Sequence, residues 1–152
     1  MRRILMAMVA VVVVAMAGVA AEADTTTVSV SATVTGTCRF LTGGSVAFTL
    51  DPASLDDAAG TVTNPTFWCT NGTAYTITDD DGVNDVVLGV HRMRLGATTN
   101  YIPYTFSYTS TGTGGGRTAV RTMNIAATVV NLDFANAAEG SYADTVILTI
   151  NP

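Results

Sequence analysis

Between residues 26 and 35 the chain reads Thr-Thr-Val-Ser-Val-Ser-Ala-Thr-Val-Thr. Val28, Val30, Ala32 and Val34 fall on one side of an extended backbone, with Ser29, Ser31, Thr33 and Thr35 on the other. Side chains alternate across a strand, so this pattern predicts a half-buried β-strand. The same period returns along the chain. Residues 45–50 turn Val46, Phe48 and Leu50 inward, and residues 65–70 carry Phe67, Trp68 and Cys69. Residues 73–78 follow Asn71-Gly72, a dipeptide that predicts a hairpin turn. Residues 86–88 add a short apolar run. Residues 101–108 alternate Ile102, Tyr104, Phe106 and Tyr108 against Thr105 and Ser107. Pro103 lacks the amide a ladder needs, so this strand is expected to start at an edge or a bulge. Residues 122–130 place Met123, Ile125, Ala127 and Val129 on one face, and residues 142–150 do the same with Val146, Leu148 and Ile150. Residues 109–116, all threonine, serine and glycine, predict a flexible surface loop. Helical spacing is absent beyond residue 23. Strands at this spacing predict one antiparallel β-sandwich.

The start of the chain follows a different rule. Arg2 and Arg3 precede an uninterrupted apolar run, and Val19-Ala20-Ala21 or Ala21-Glu22-Ala23 offers a small-residue cleavage site. This is the pattern of a cleaved export signal over residues 1–23. Residues 24–152 are then the length of a single domain. All seven basic residues are arginines, set against 12 acids for a net charge of −5. Nucleic acid and anionic membrane both require clustered cations, so neither is expected as a partner. Two cysteines in an exported chain predict one disulfide, Cys38 to Cys69. Closing a loop of about 30 residues is worth about 3.5–4 kcal/mol in the chain-entropy picture.

Residues 79–85, Asp-Asp-Asp-Gly-Val-Asn-Asp, offer the clustered oxygens a hard cation wants. They lack the bidentate glutamate of a calcium loop, and the same residues suit a hairpin tip, which is the reading preferred. His91 is the only histidine and is expected to face solvent. Arg92 and Arg94 are expected to form a small cationic spot, paired with an aspartate. Asn71-Gly72-Thr73 fits a glycosylation pattern but reads as a turn. With one histidine, no lysine and no Gly-x-Ser-x-Gly elbow, nothing activates a nucleophile. No catalytic, cofactor-binding or metal-binding residue is expected.

Several segments together resemble the spore coat protein U domain family, which includes the pilin subunits of archaic chaperone–usher pili. They are Thr35-Gly36-Thr37-Cys38, Trp68-Cys69-Thr70-Asn71-Gly72-Thr73-Ala74-Tyr75-Thr76-Ile77 and Arg92-Met93 ahead of Gly96. Asn100-Tyr101-Ile102-Pro103-Tyr104 and the ending from Gly140-Ser141-Tyr142-Ala143-Asp144 through Ile150 complete the set. Their order and spacing carry the likeness. The resemblance implies an immunoglobulin-like sandwich that lacks its last strand, with a disulfide between Cys38 and Cys69. A periplasmic chaperone would fill the groove first. In the fibre, the N-terminal strand of the next subunit would replace it, by donor-strand exchange. Residues 24–35 would be the donor segment, with Val28, Val30, Ala32 and Val34 as its buried face. Val146, Leu148 and Ile150 would line the acceptor side. The expected function is a structural subunit of a surface fibre, with other subunits, a chaperone and an outer-membrane usher as partners. The alternatives are a self-completed monomeric adhesin or ligand-binding module, and a coat protein.

Overall fold

The computed structural model describes residues 22–84 and 89–152. The expected signal and the apolar run at 86–88 therefore lie wholly or mainly outside the described residues. Two units are distinguished, residues 1–33 and residues 34–152. Of the first, residues 22–33 carry neither strand nor helix, and their side chains are exposed. The half-buried strand expected from residue 26 is thus not part of a ladder here. An apolar alternation specifies which face wants cover, and it does not supply the cover.

The second unit is built of antiparallel strands. In chain order they are β1 (Cys38–Thr42), β2 (Ser45–Ala47), β3 (Ala58–Ala59), β4 (Thr61–Thr63), β5 (Thr66–Cys69), β6 (Ala74–Asp79) and β7 (Arg92–Leu95). There follow β8 (Tyr101–Pro103), β9 (Thr105–Ser107), β10 (Thr111–Thr113), β11 (Arg121–Thr122), β12 (Ala126–Val129), the single-turn helix α1 (Asn131–Phe134), β13 (Tyr142–Ala143) and β14 (Leu148–Asn151).

These short ladders join into two layers. In the first, β1 and β2 run against β5 and β4, β3 and β5 run against β12 and β11, and β12 runs against β9. In the second, β6 and β7 run against β14 and β13, with β10 and β8 on their other side. Four strands opposite three, joined in this order, make an immunoglobulin-like sandwich. The core lies between the layers in two clusters. Phe67, Cys69 and Met123 of the first layer meet Tyr75 and Ile77 of the second. Towards the other end Met93, Ile102, Val129 and Phe134 pack together.

Several expectations are corrected in detail. Asn71-Gly72 does turn, with Gly72 at φ 78, but it carries the chain from one layer to the other because β5 and β6 have different partners. It is a crossover and not a hairpin. Residues 79–85 likewise do not cap a hairpin, since β6 and β7 both pair with the last strand region and not with each other. The expected loop at 109–116 contains β10, which pairs with β6. Threonine and glycine gave no apolar face to read, yet the backbone ladder needs none. Gly112 is required there, because a Cβ would collide with the Tyr75 ring. The strand expected at 101–108 is split: β8 belongs to the second layer and β9 to the first. The break falls at Tyr104, whose amide still donates to the His91 carbonyl at 3.0 Å. Pro103 stands on an edge strand, as expected, with its amide-free nitrogen away from β7. A helix was not expected. α1 is one turn, with Phe134 as its buried anchor.

Candidate functional site

Strands β1 and β14 end their sheets. Among the described residues β14 pairs only with β6, β1 only with β5, and β2 only with β4. Edge strands present free N–H and C=O groups, which invite a further strand. Between these edges lies a cleft of about 480 Å³. Gly44, Ser45, Val46 and Phe48 form one wall, and residues 142–146 with Leu148 form the other. Met93, Tyr104, Phe106 and Ile125 contribute to the lining from the layers between. A second stretch of about 460 Å³ continues past Phe40, Leu41 and Thr42 and shares Gly44, Pro65, Val146 and Leu148 with the first.

The alternation read from the last strand region survives in the structure. Tyr142, Asp144, Val146, Leu148 and Ile150 are half-buried, while the residues between them are exposed. Val146 and Leu148 line both stretches of the cleft. Ile150 packs instead on the cluster of Phe67, Cys69, Tyr75, Ile77 and Met123. Val28, Val30 and Val34 are 77%, 90% and 81% exposed, and Ala32 is exposed as well. Cys38 and Cys69 face each other in register on β1 and β5 and form the disulfide. The bond fixes the start of the edge strand to the sheet interior.

The last strand region is interrupted between β13 and β14, and the loop after β6 closes the gap. The Ile147 amide donates to Asp80 Oδ1 at 2.8 Å, and the Val83 amide donates to the Thr145 carbonyl at 3.1 Å. Asn84 Nδ2 donates to the Ala143 carbonyl and to Asp144 Oδ1, both at 3.0 Å. Gly82, at φ 89, allows this approach, because any side chain there would run into the Asp144 carboxylate. So the aspartate run splints the strand that forms one wall of the cleft. At its base Tyr104 Oη donates to Asp144 Oδ2 at 2.7 Å, and Tyr108 Oη donates to Asp79 Oδ2 at 2.6 Å. Burial, then the hydrogen bond to the Asp144 carboxylate and the nearby negative charges, push the Tyr104 hydroxyl far above its ordinary pKa. Burial and Asp79 do the same to Tyr108. Burial disfavours the Asp79 carboxylate, but the donors Tyr108 and the Asp81 amide, with His91 beside it, outweigh that and hold its pKa below the ordinary value.

His91 corrects the sequence reading most sharply. It is 7% exposed, with its ring centroid 5.4 Å from that of Tyr104 and 5.1 Å from that of Phe106. It shares the inward parity of Met93, a signal that was present in the sequence. Arg92 places its guanidinium over Tyr101 and donates to the Asn84 carbonyl, and Arg94 donates to the Gly96 carbonyl. These partners are an aromatic ring and main-chain oxygens, where an aspartate was expected.

No curated protein gives a significant match. Among solved structures, the chain is similar to one in the crystal structure of the CsuC–CsuE chaperone–tip adhesion subunit pre-assembly complex from archaic chaperone–usher Csu pili of Acinetobacter baumannii. Identity is 17% and the TM-score 0.46, over 78% of this chain and 40% of that one. A family model, the Spore Coat Protein U domain, matches residues 24–149. The chain belongs to the Spore Coat Protein U domain family.

Proposed function

We propose that this chain is an exported structural subunit of a surface fibre, assembled head to tail by donor-strand exchange in a chaperone–usher pathway. The observation that carries the reading is the cleft between two strand edges unpaired among the described residues, β1–β2 on one side and β14 on the other, with Val46, Phe48, Val146 and Leu148 in its lining. A strand inserted there would gain main-chain bonds from the edge and pockets for alternate side chains. Residues 26–35 have the matching pattern, and the family match takes in this segment. Val28, Val30, Ala32 and Val34 of one copy enter the cleft of the next, against Val146 and Leu148, with Ile150 backing the same strand.

Burying three valines contributes about 5–9 kcal/mol gross, before the ordering cost of the segment. The donor and acceptor surfaces are different patches of one chain. Contacts of that kind extend into filaments when they do not close into a ring. A periplasmic chaperone lends a strand to the cleft in transit, an outer-membrane usher exchanges it for the next subunit, and the product is a fibre on the cell surface. The disulfide fits an oxidising compartment. The role in this reading is structural, and the polar groups at the cleft serve the fold: Asp144 accepts from both Tyr104 and Asn84.

The test compares mature protein from residue 24 with a form deleted through Val34, each by size-exclusion chromatography, unheated SDS gels and electron microscopy. Ladders or fibres from the intact form alone support the reading. Monomeric, equally stable forms of both would overturn it and favour a free-standing binding module.

A further inference from the structure

Asp79 closes β6, Asp81 stands two residues further on, and His91 immediately precedes β7. One carboxylate oxygen from each aspartate and one imidazole nitrogen lie within 4.8 Å of one another. Acidic side chains gather in many loops without consequence. The histidine distinguishes this cluster. Its side chain is 9% exposed, and its Nε2 points at Asp79 Oδ1 from 3.2 Å. The pair is at ion-pair distance, yet Nε2 is a buried polar atom with no hydrogen-bond partner among the described residues. Buried polar atoms of native folds are nearly always satisfied, and one left over calls for a reason.

We propose that Asp79, Asp81 and His91 form a binding site for a divalent transition-metal ion of the zinc class. A neutral imidazole nitrogen and carboxylate oxygens are ligands that zinc takes, whereas calcium and magnesium prefer oxygen alone. Three protein ligands leave a fourth position for water. Tetrahedral bonds of about 2.0–2.1 Å put ligand atoms roughly 3.4 Å apart, so binding asks only for small side-chain rotations. The rings of Tyr104 and Phe106 hold the imidazole in place. Asp81 Oδ2 accepts from the Gly89 amide at 3.1 Å and Asp79 Oδ1 from the Asp81 amide at 3.0 Å, which orients both carboxylates. Arg92, the nearest cation in sequence, is occupied with Tyr101 and Asn84. The ion would join the end of β6 to the start of β7 and fasten the loop that splints the last strand. Anything that binds the folded state alone stabilises it. The site belongs to the fold and does not depend on fibre assembly.

The experiment uses untagged, chelator-treated mature protein titrated with zinc chloride, and separately with calcium chloride. Calorimetry gives stoichiometry, thermal melting gives the stability shift, and NMR reads the imidazole of the only histidine. The expected result is one zinc per chain, a rise in Tm of several degrees and a shifted His91 resonance, with no such response to calcium. Asp81→Asn, a change at a partly exposed position, should fold normally and weaken zinc at least tenfold. His91→Gln should abolish it. Absence of saturable zinc binding overturns the proposal. So does binding that leaves the His91 resonance unmoved, or that Asp81→Asn does not weaken.

Discussion

Tyr104 Oη donates a hydrogen bond of 2.7 Å to Asp144 Oδ2, and the two residues belong to segments that the sequence places 40 positions apart. Tyr104 sits where the chain leaves one layer for the other, between β8 and β9. Asp144 sits in the break between β13 and β14. Their bond therefore ties the sheet crossover to the wall of the cleft. Tyr104→Phe should keep the packing and lose the bond, at about 1–2 kcal/mol. Chemical denaturation of the monomer would measure it.

The same hydroxyl sets an alkaline limit. Burial and the Asp144 carboxylate raise its pKa in the folded chain, while in the unfolded chain it ionises near pH 10. Below about pH 10 both states keep the proton and the contribution is complete. Above that value the unfolded state releases its proton first, and stability falls as pH rises. Denaturation midpoints between pH 9 and 11.5 should decline for the native sequence and decline less for Tyr104→Phe, as followed by fluorescence of Trp68.

Cys38 and Cys69 are register partners at the start of the edge strand. Replacing both with alanine should cost about 2–5 kcal/mol. Melting with and without reductant would show the loss in the native protein, and no further loss in the double variant.

Gly112 faces the Tyr75 ring with no room for a side chain. Gly112→Val should displace β10 from β6 and lower stability by about 1–3 kcal/mol, the range typical of overpacking. A methyl-scale change at an exposed glycine such as Gly43, which has open space around it, should leave the melting temperature within a degree or two.

How much of this was readable beforehand follows from what alternation can and cannot encode. The inward faces of residues 101–108, 122–130 and 142–150 are half-buried or buried as the period of two required, because the period is a property of one strand by itself. Partner choice is a property of two strands, so Asn71-Gly72 predicts a hairpin although β5 and β6 lie in different layers. β10 had no apolar residue to mark it. His91 shares parity with Met93, but a lone polar residue between Val90 and Arg92 looks solvent-facing until Tyr104 and Phe106 close over it. The wall formed by Val146 and Leu148 was legible from its own pattern. The opposite wall at Gly44, Ser45 and Val46 was not, because only folding brings the first and last strands together.

A charge on the proposed donor face would separate folding from assembly. Val30 is 90% exposed in the single chain, so Val30→Asp should leave the monomer's Tm unchanged within about a degree, as exposed substitutions do. In a cleft lined by Val46, Phe48, Val146 and Leu148 the same carboxylate is buried without a partner, and multimers should be lost from unheated gels.

The central claim is that residues 28–34 of one copy lie along the free edge of β14 in the next. Hydrogen exchange on assembled multimers, compared with monomer dissociated from them, reads that contact directly. The account predicts new protection at two places together: amides within residues 28–34, and those amides of Leu148–Asn151 that do not bond to β6. Multimers in which both segments exchange as fast as in the monomer would contradict it.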